Sequence, residues 1–399
     1  MSQAYILSAC RTPFGKYGGA LKDVRPDDMA GLVMKEAARR AGIDTNEIDD
    51  VMFGCANQAG EDNRNVARMG ALLAGFPERV PAVTINRLCG SSLDAIIQAA
   101  RAIRSGEADI IIAGGVESMT RAPYSMPKNV SGAALFGNIT AYDTALGWRY
   151  PNPKLEAMFP LESMGETAEN VAEQWKISRE DQDAFALESH RRAIAAQERG
   201  DYNDEIVPVE IAGKKGSVTV STDEQPRADT TLDKLSTLKP AFRKGGSVTP
   251  GNSSSLNDGA SAVVVVSEAV VKRLGIEPLG RYVASGVEGL TPRCMGVGPI
   301  EAVRKALKLA KLGIEDINLF ELNEAFASQS LAVIRELGLD PAIVNPNGGA
   351  IAIGHPLGAS GGRLVGTLLY EMRRKNLKRG VATMCIGVGQ GIAGVFERD

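Results

Sequence analysis

Four short stretches hold the residue types that make and break bonds. Cys89, in VTINRLCGSSLDAI, stands between a β-branched run and a run with helical spacing, with Gly90, Ser91 and Ser92 directly behind it. His355 is one of only two histidines and lies in GGAIAIGHPLGASGG, which holds six glycines in fifteen residues. Cys385 precedes Gly387, Gly389 and Gly391 in TMCIGVGQG, and Asn323 and Glu324 stand together in ELNEAFASQ. A cysteine beside a histidine is a nucleophile with its base. A second thiol can exchange protons, and backbone amides at a glycine-rich strand end can hold an oxyanion. Taken singly, each has a plainer explanation: free cysteines are commonly core residues, and a polar pair before a helix commonly caps it.

The elements that carry these residues repeat. AARRAGIDTNEIDDVMFG (37–54) matches ALKLAKLGIEDINLFELNEAF (306–326): an amphipathic helix, a Gly-Ile break, a short acidic helix and a strand. The Cys89 stretch then faces the His355 stretch, and SGEADIIIAGGVES (105–118) faces LKRGVATMCIGVGQG (377–391). DGASAVVVV (258–266) resembles QGIAGVFE (390–397) at a much shorter offset, so the first unit carries an insertion, roughly residues 121–247. Strands alternating with helical patterns predict mostly parallel sheets covered by helices, with ligands at the strand carboxyl ends. Both cysteine and histidine fall at such ends, each before a helix: Leu93, Ile96, Ile97, Ala100 and Ile103 follow Cys89, and Leu364, Leu368 and Met372 follow His355. Two units packed about a pseudo-twofold axis bring the two turns together. A helix N-terminus beside Cys89 predicts a thiol pKa below its free value of about 8.5. Inside the insertion, SMGETAENVAEQW and SREDQDAFALESHRRAIAAQERG each open like a capping box.

Composition removes other classes. The 399 residues are 44% hydrophobic and 23% charged, with a net charge of -3 and no basic stripe, which argues against nucleic acid. No apolar run approaches the ~18 residues of a spanning helix, and no signal peptide is legible, so the expectation is a cytoplasmic protein without a membrane partner. Five scattered cysteines and two histidines offer no metal-ligand spacing and no disulfide framework. RTPFGKYGG lacks the glycine and the spacing of a phosphate loop.

Together the four loops resemble the thiolases, a family marked by Cys-x-Ser, Asn-Glu-Ala-Phe, Gly-His-Pro and Cys-x-Gly loops. Here these read Cys89 to Ser91, Asn323 to Phe326, Gly354 to Pro356 and Cys385 to Gly387, in the family's order. The likeness runs along nearly the whole chain, from RTPFGKYGGAL through GEDNRNVARMGALLAGFP and VTPGNSSSLNDGAS to the end. It implies an α/β fold of five layers, αβαβα, made of two duplicated mixed-sheet domains: 1–120 with 248–274, and 275–399. A loop domain, 121–247, would cover coenzyme A. Coenzyme A would be a substrate, no cofactor would be tightly bound, and dimers or tetramers would form.

The same resemblance makes Cys89 the acyl carrier, His355 its activating base and Cys385 the group that protonates the departing enolate and deprotonates incoming CoA. Asn323 would orient a water that forms an oxyanion hole with His355; the amides of Cys89 and Gly387 would form another. It places Arg227 near the nucleotide, Ser254 near the pantetheine arm, and Met164 and Phe242 on the tunnel wall. By residue type alone, Arg227 is equally a surface charge, Ser254 a turn residue, and Met164 and Phe242 core. Ser163 stands where short-chain acetoacetyl-CoA thiolases have histidine, which favours a degradative enzyme of broader range. DTALGWRYPNPKL looks like thiolases for longer acids or 3-oxoadipyl-CoA. The related β-ketoacyl-ACP synthases use Cys-His-His, and only His190 could be the second histidine; its helical pattern reads as a partly exposed helix residue. A cysteine hydrolase leaves Cys385 unexplained, and a silent acyl-CoA binder leaves all four loops unexplained.

Overall fold

The computed structural model describes residues 3–128, 138–213 and 216–398. The first unit contributes strands β1 (Ala4–Arg11), β2 (Asp50–Gly54), β3 (Ala82–Ile85), β4 (Ile110–Ser118) and β5 (Asn257–Ser267). The second contributes β6 (Gly280–Gly289), β7 (Leu319–Leu322), β8 (Arg379–Ile386) and β9 (Gln390–Glu397). They lie in the order β3-β2-β4-β5-β1-β6-β9-β8-β7. In the first half β2 runs parallel to β3 and β4, while β5 is antiparallel to both β4 and β1. The second half repeats this: β7 is parallel to β8, β9 is antiparallel to β8 and β6, and a bridge from Phe320 to Val344 marks the place of β3. The aligned turns therefore fall at equivalent positions.

The two halves meet along a seam of three residue pairs, Ala4 with Tyr282, Tyr5 with Arg281 and Ile6 with Gly280. Hydrogen bonding thus runs on from one mixed half-sheet to the other. The reason is β1, which has an unpaired edge once β5 is satisfied and finds β6 there.

Helices α1 (Pro26–Ala41) and α2 (Val66–Leu73) cover one outer face with β1, β2, β4 and β5. The helices after the Cys89 and His355 turns, α3 (Ser91–Ser105) and α8 (Leu357–Arg374), fill the middle layer between the half-sheets. On the other outer face lie α6 (Gly298–Ala310) and α7 (Ala327–Leu337). Because helices cover both faces, β4 and β5 are buried at every residue and, apart from Glu117, Asn257 and Asp258 at the strand ends, consist of small and β-branched residues. The insertion forms α4 (Met164–Gln174) and α5 (Arg179–Arg199), with Ser163 and Ser178 as the capping side chains their sequences predicted.

Glycine sets the spacing of the middle layer. A Cβ on Gly115 would lie 2.0 Å from the Gly358 oxygen, and one on Gly361 would lie 2.3 Å from the Leu93 nitrogen. Backbone therefore touches backbone, and the Gly362 N–H donates to Ser92 Oγ at 3.0 Å across the contact. That approach brings the starts of α3 and α8, and the residues just before them, to one place.

Candidate active site

The bend that carries Cys89 is held by its neighbours. Leu88 takes a left-handed φ of 47°. Its N–H donates to Asn86 Oδ1 at 2.9 Å, and its carbonyl accepts from Ser91 Oγ at 2.6 Å. Left-handed backbone at a residue with a branched side chain costs on the order of 1 kcal/mol, so a turn built this way is over-determined by its surroundings. Opposite it, the end of β8 makes a similar bend, with Val388 at φ 65° and Gly389 at 84°. The backbone amides of Gly387 and of Cys89 itself favour negative charge on the Cys89 sulfur. A Cβ on Gly90 would sit 2.7 Å from Ile386 Cδ1, so the Cys89 turn and the strand of Cys385 touch directly.

Burial pushes the Cys89 thiol up to about 11, against those two amides, which act to lower it. The expected depression is thus corrected: desolvation outweighs the donors at the helix start, and the resting group is a neutral thiol. Cys385 is buried and raised further, first by burial and then by the neighbouring sulfur of Cys89. Neither thiol ionises unaided near neutrality, so a base must act during the reaction.

His355 has the right form for that base. Its backbone N–H donates to Asn257 Oδ1 at 3.0 Å, and Nδ1 lies 2.6 Å from Ser360 Oγ. Ser360 spends its own hydrogen on the Pro356 carbonyl at 2.8 Å. The hydrogen between imidazole and hydroxyl must then be on Nδ1, which leaves a lone pair on Nε2. Burial, reinforced by Arg363, holds the ring down to about 3, so it is neutral at rest. Asn323 Nδ2 lies across the ring, 3.4 Å from Nε2 and 3.5 Å from Nδ1, while its Oδ1 is buried with no partner among the described residues. Asn323 does not cap α7; Phe326 occupies that position. Glu324 instead ties Ser189, Asn345 and the Ile351 N–H together.

Ser360 orients the imidazole and Asn257 fixes the backbone that carries it, yet neither was legible as a site residue. Glu117 was missed as well. Its carboxylate accepts from the N–H groups of Ala56 (3.0 Å), Asn57 (3.1 Å) and Gly358 (2.9 Å), clamping the start of α8 to the loop after β2. With Cys55 and Asp62 it forms a buried group whose possible ligand atoms lie within 4.8 Å of one another. The three amides already engage both Glu117 oxygens, and a structural clamp accounts for the group.

Met164 opens α4 with its sulfur 3.5 Å from where a Gly387 Cβ would be, and it packs on Cys385 and Phe326. Phe242, 40% exposed, meets the Phe326 ring edge-on at 6.3 Å. The Ser254 N–H donates to the Ala325 carbonyl at 2.9 Å, beside the Asn323 loop. Arg227 is exposed and stands apart from the sulfurs; its backbone N–H donates to Nδ1 of His190 at 3.2 Å. His190 is buried, not partly exposed as its helical pattern suggested, because this loop covers it, and burial holds it down to about 4. Ser163, the departure from the short-chain pattern, caps α4.

A cysteine held by two amides, a neutral imidazole oriented by a serine, a second thiol and a buried asparagine, on a duplicated five-layer frame, define a cysteine-dependent acyltransferase. The chain belongs to the thiolase family: the family model for the thiolase N-terminal domain matches residues 4–269, and that for the C-terminal domain matches 276–398. It is 54% identical, over all of both chains, to the beta-ketoadipyl-CoA thiolase of Acinetobacter baylyi. It is also 54% identical, again over all of both chains, to the 3-oxoadipyl-CoA/3-oxo-5,6-dehydrosuberyl-CoA thiolase of Escherichia coli. The crystal structure of human mitochondrial 3-ketoacyl-CoA thiolase in complex with CoA superimposes with a TM-score of 0.93 at 41% identity, covering 100% of this chain and 98% of that one. The reaction is accordingly thiolytic cleavage of a 3-ketoacyl-CoA, or the reverse Claisen condensation. No helix among the described residues is long and apolar enough to cross a membrane.

Proposed function

We propose that this thiolase cleaves 3-oxoadipyl-CoA with CoA, giving succinyl-CoA and acetyl-CoA. What supports the substrate is end-to-end identity of 54% to relatives named for that compound, together with the absence of the short-chain histidine at Ser163. Fatty-acid β-oxidation is the second reading, favoured by the likeness to the human 3-ketoacyl-CoA enzyme.

In the mechanism we propose, His355 Nε2 takes the Cys89 proton as the sulfur adds to the C3 ketone. The amides of Cys89 and Gly387 receive the oxyanion, where donors act selectively on the transition state. Collapse breaks C2–C3 and leaves the acyl group on Cys89. Charge on the thioester oxygen of the leaving enolate is met by protonated His355 and by a water held on Asn323, a role that suits its unpartnered Oδ1. Cys385 gives its proton to C2, then as thiolate takes the proton of incoming CoA. The CoA sulfur attacks the acyl-enzyme, and the expelled Cys89 sulfur recovers its proton from His355. Met164 and Phe242 would wall the tunnel, Ser254 would meet the pantetheine arm and Arg227 the nucleotide. Residues 121–247 would cover CoA beside domains 1–120 with 248–274 and 275–399, in a cytoplasmic dimer or tetramer.

The deciding experiment is kcat/KM for thiolysis of acetoacetyl-, 3-oxohexanoyl-, longer 3-oxoacyl- and 3-oxoadipyl-CoA. The dicarboxylic substrate should lead the series; a sharp optimum at acetoacetyl-CoA would overturn the assignment.

A further inference from the structure

The DTALGWRYPNPKL segment contains an arginine that the mechanism leaves unused. Arg149 is half-buried, and all its hydrogen bonds go to neutral oxygens: Nη1 donates to the Thr144 carbonyl at 2.8 Å and to Asn57 Oδ1 at 3.2 Å, and Nη2 to the Asn57 carbonyl at 3.1 Å. Several other half-buried arginines pair with carboxylates, including Arg121 with Glu61, Arg243 with Glu166 and Arg179 with Asp183, whereas Arg68 and Arg104, like Arg149, donate to neutral oxygens. No carboxylate among the described residues compensates Arg149.

The unused donors form one edge. A guanidinium has five N–H groups, and Arg149 places three of them. What remains is Nε–H and the second Nη2 hydrogen, the parallel pair that grips a carboxylate with two bonds. Arg25 uses that edge on Asp27, with Nε at 2.9 Å and Nη2 at 2.8 Å. Among the described residues nothing occupies that edge of Arg149.

Its place in the fold links it to the nucleophile. Asn57, which holds the guanidinium, follows Ala56, whose carbonyl accepts from Asn86 Nδ2 at 3.0 Å; Asn86 in turn fixes the N–H of Leu88, next to Cys89. On the other side the Trp148 indole N–H donates to the Glu162 carbonyl at 3.1 Å, two residues before Met164, which lies against Gly387. The Trp148–Arg149 strap therefore ties together two of the walls that flank the Cys89 sulfur.

We infer that Arg149 is a specificity-determining residue that receives the terminal carboxylate of a dicarboxylic acyl chain, through Nε and Nη2, when that chain is on Cys89. The inference rests on the 3-oxoadipyl-CoA reading. The readout is the ratio of kcat/KM for 3-oxoadipyl-CoA to that for 3-oxohexanoyl-CoA, which has equal length and a neutral end. Loss of a charged bidentate pair should lower this ratio about 30-fold in Arg149→Met, with Arg149→Lys in between. Should Arg149→Met fail to accumulate as soluble protein, Arg149→Gln, which keeps donors for Asn57 and Thr144, gives the same comparison. If the wild-type enzyme shows no preference for 3-oxoadipyl-CoA, the substrate reading falls and this inference with it. If the wild type prefers it and the variants keep the ratio, whatever their overall rates, the substrate stands and the role of Arg149 is overturned.

Discussion

At the scale of single residues, two sulfurs that are both protonated at rest must divide the work, and their surroundings differ in a way that assigns it. Burial dominates at both, but two amides, those of Gly387 and Cys89, favour charge on the Cys89 sulfur, whereas Cys385 has only its own amide and is raised further by the neighbouring sulfur. Charge on sulfur is better accommodated at the first, where the Gly387 amide adds to the residue's own. Cys89→Ser should abolish labelling by radioactive acetyl-CoA. Cys385→Ala should still acylate while overall thiolysis falls about 10³-fold, the usual scale for losing an acid–base group. Undiminished labelling of the Cys89 variant would exclude it as the carrier. The residues proposed to do the chemistry were legible in the sequence because their side-chain types are themselves the chemistry. Ser360 and Asn257 were not, since orienting a ring or fixing its backbone requires only a hydroxyl or an amide at the right place, and hydroxyls and amides occur everywhere in a chain. The ionisation of Cys89 was misread for a related reason: a helix start is visible in sequence, but the depth at which the thiol is enclosed is not.

At the scale of elements, repeat and periodicity were enough to place strands and helices, because apolar spacing reports which face is covered. They did not reveal how near the elements lie. Gly115 and Gly361 are each a contact between backbones whose partner, a distant segment of chain, no local spacing names. Two magnitudes compete at Gly361, inside α8: alanine raises helix propensity by about 1 kcal/mol, whereas overpacking a tight contact costs typically 1–3 kcal/mol and sometimes more. With 2.3 Å to a backbone nitrogen that cannot swing aside, overpacking wins. Gly361→Ala should therefore lose about 2 kcal/mol in urea unfolding. A gain in stability would mean that the α3–α8 contact is looser than described.

At the scale of the whole molecule, the buried clamp on Glu117 makes stability depend on pH. Burial raises its carboxyl from the ordinary 4.5 to about 7. Between those values the folded chain keeps a proton that the unfolded chain has released, so this group's contribution to stability falls as pH rises through the window and is level above it. Glu117→Gln lacks this dependence. The stability advantage of wild type over that variant should shrink on the order of 3 kcal/mol from pH 4.5 to 7, read by chemical denaturation at several pH values; an advantage constant with pH would show that the carboxylate is charged throughout. Low-lying His355 and His190 act in the opposite sense, since the unfolded chain takes up protons below about 6.5 that the folded one refuses.

The seam between the half-sheets bears on how the chain reaches this state. β1 lies between β5 and β6, and both partners are translated long after it. Nascent β1 therefore waits, apolar and without hydrogen-bond partners, until residues beyond 257 emerge. Closing so long a loop is entropically slow, and a waiting strand is open to intermolecular capture. Refolding yield should accordingly be limited by concentration, and chaperone binding should centre on the exposed Ala4–Arg11 segment.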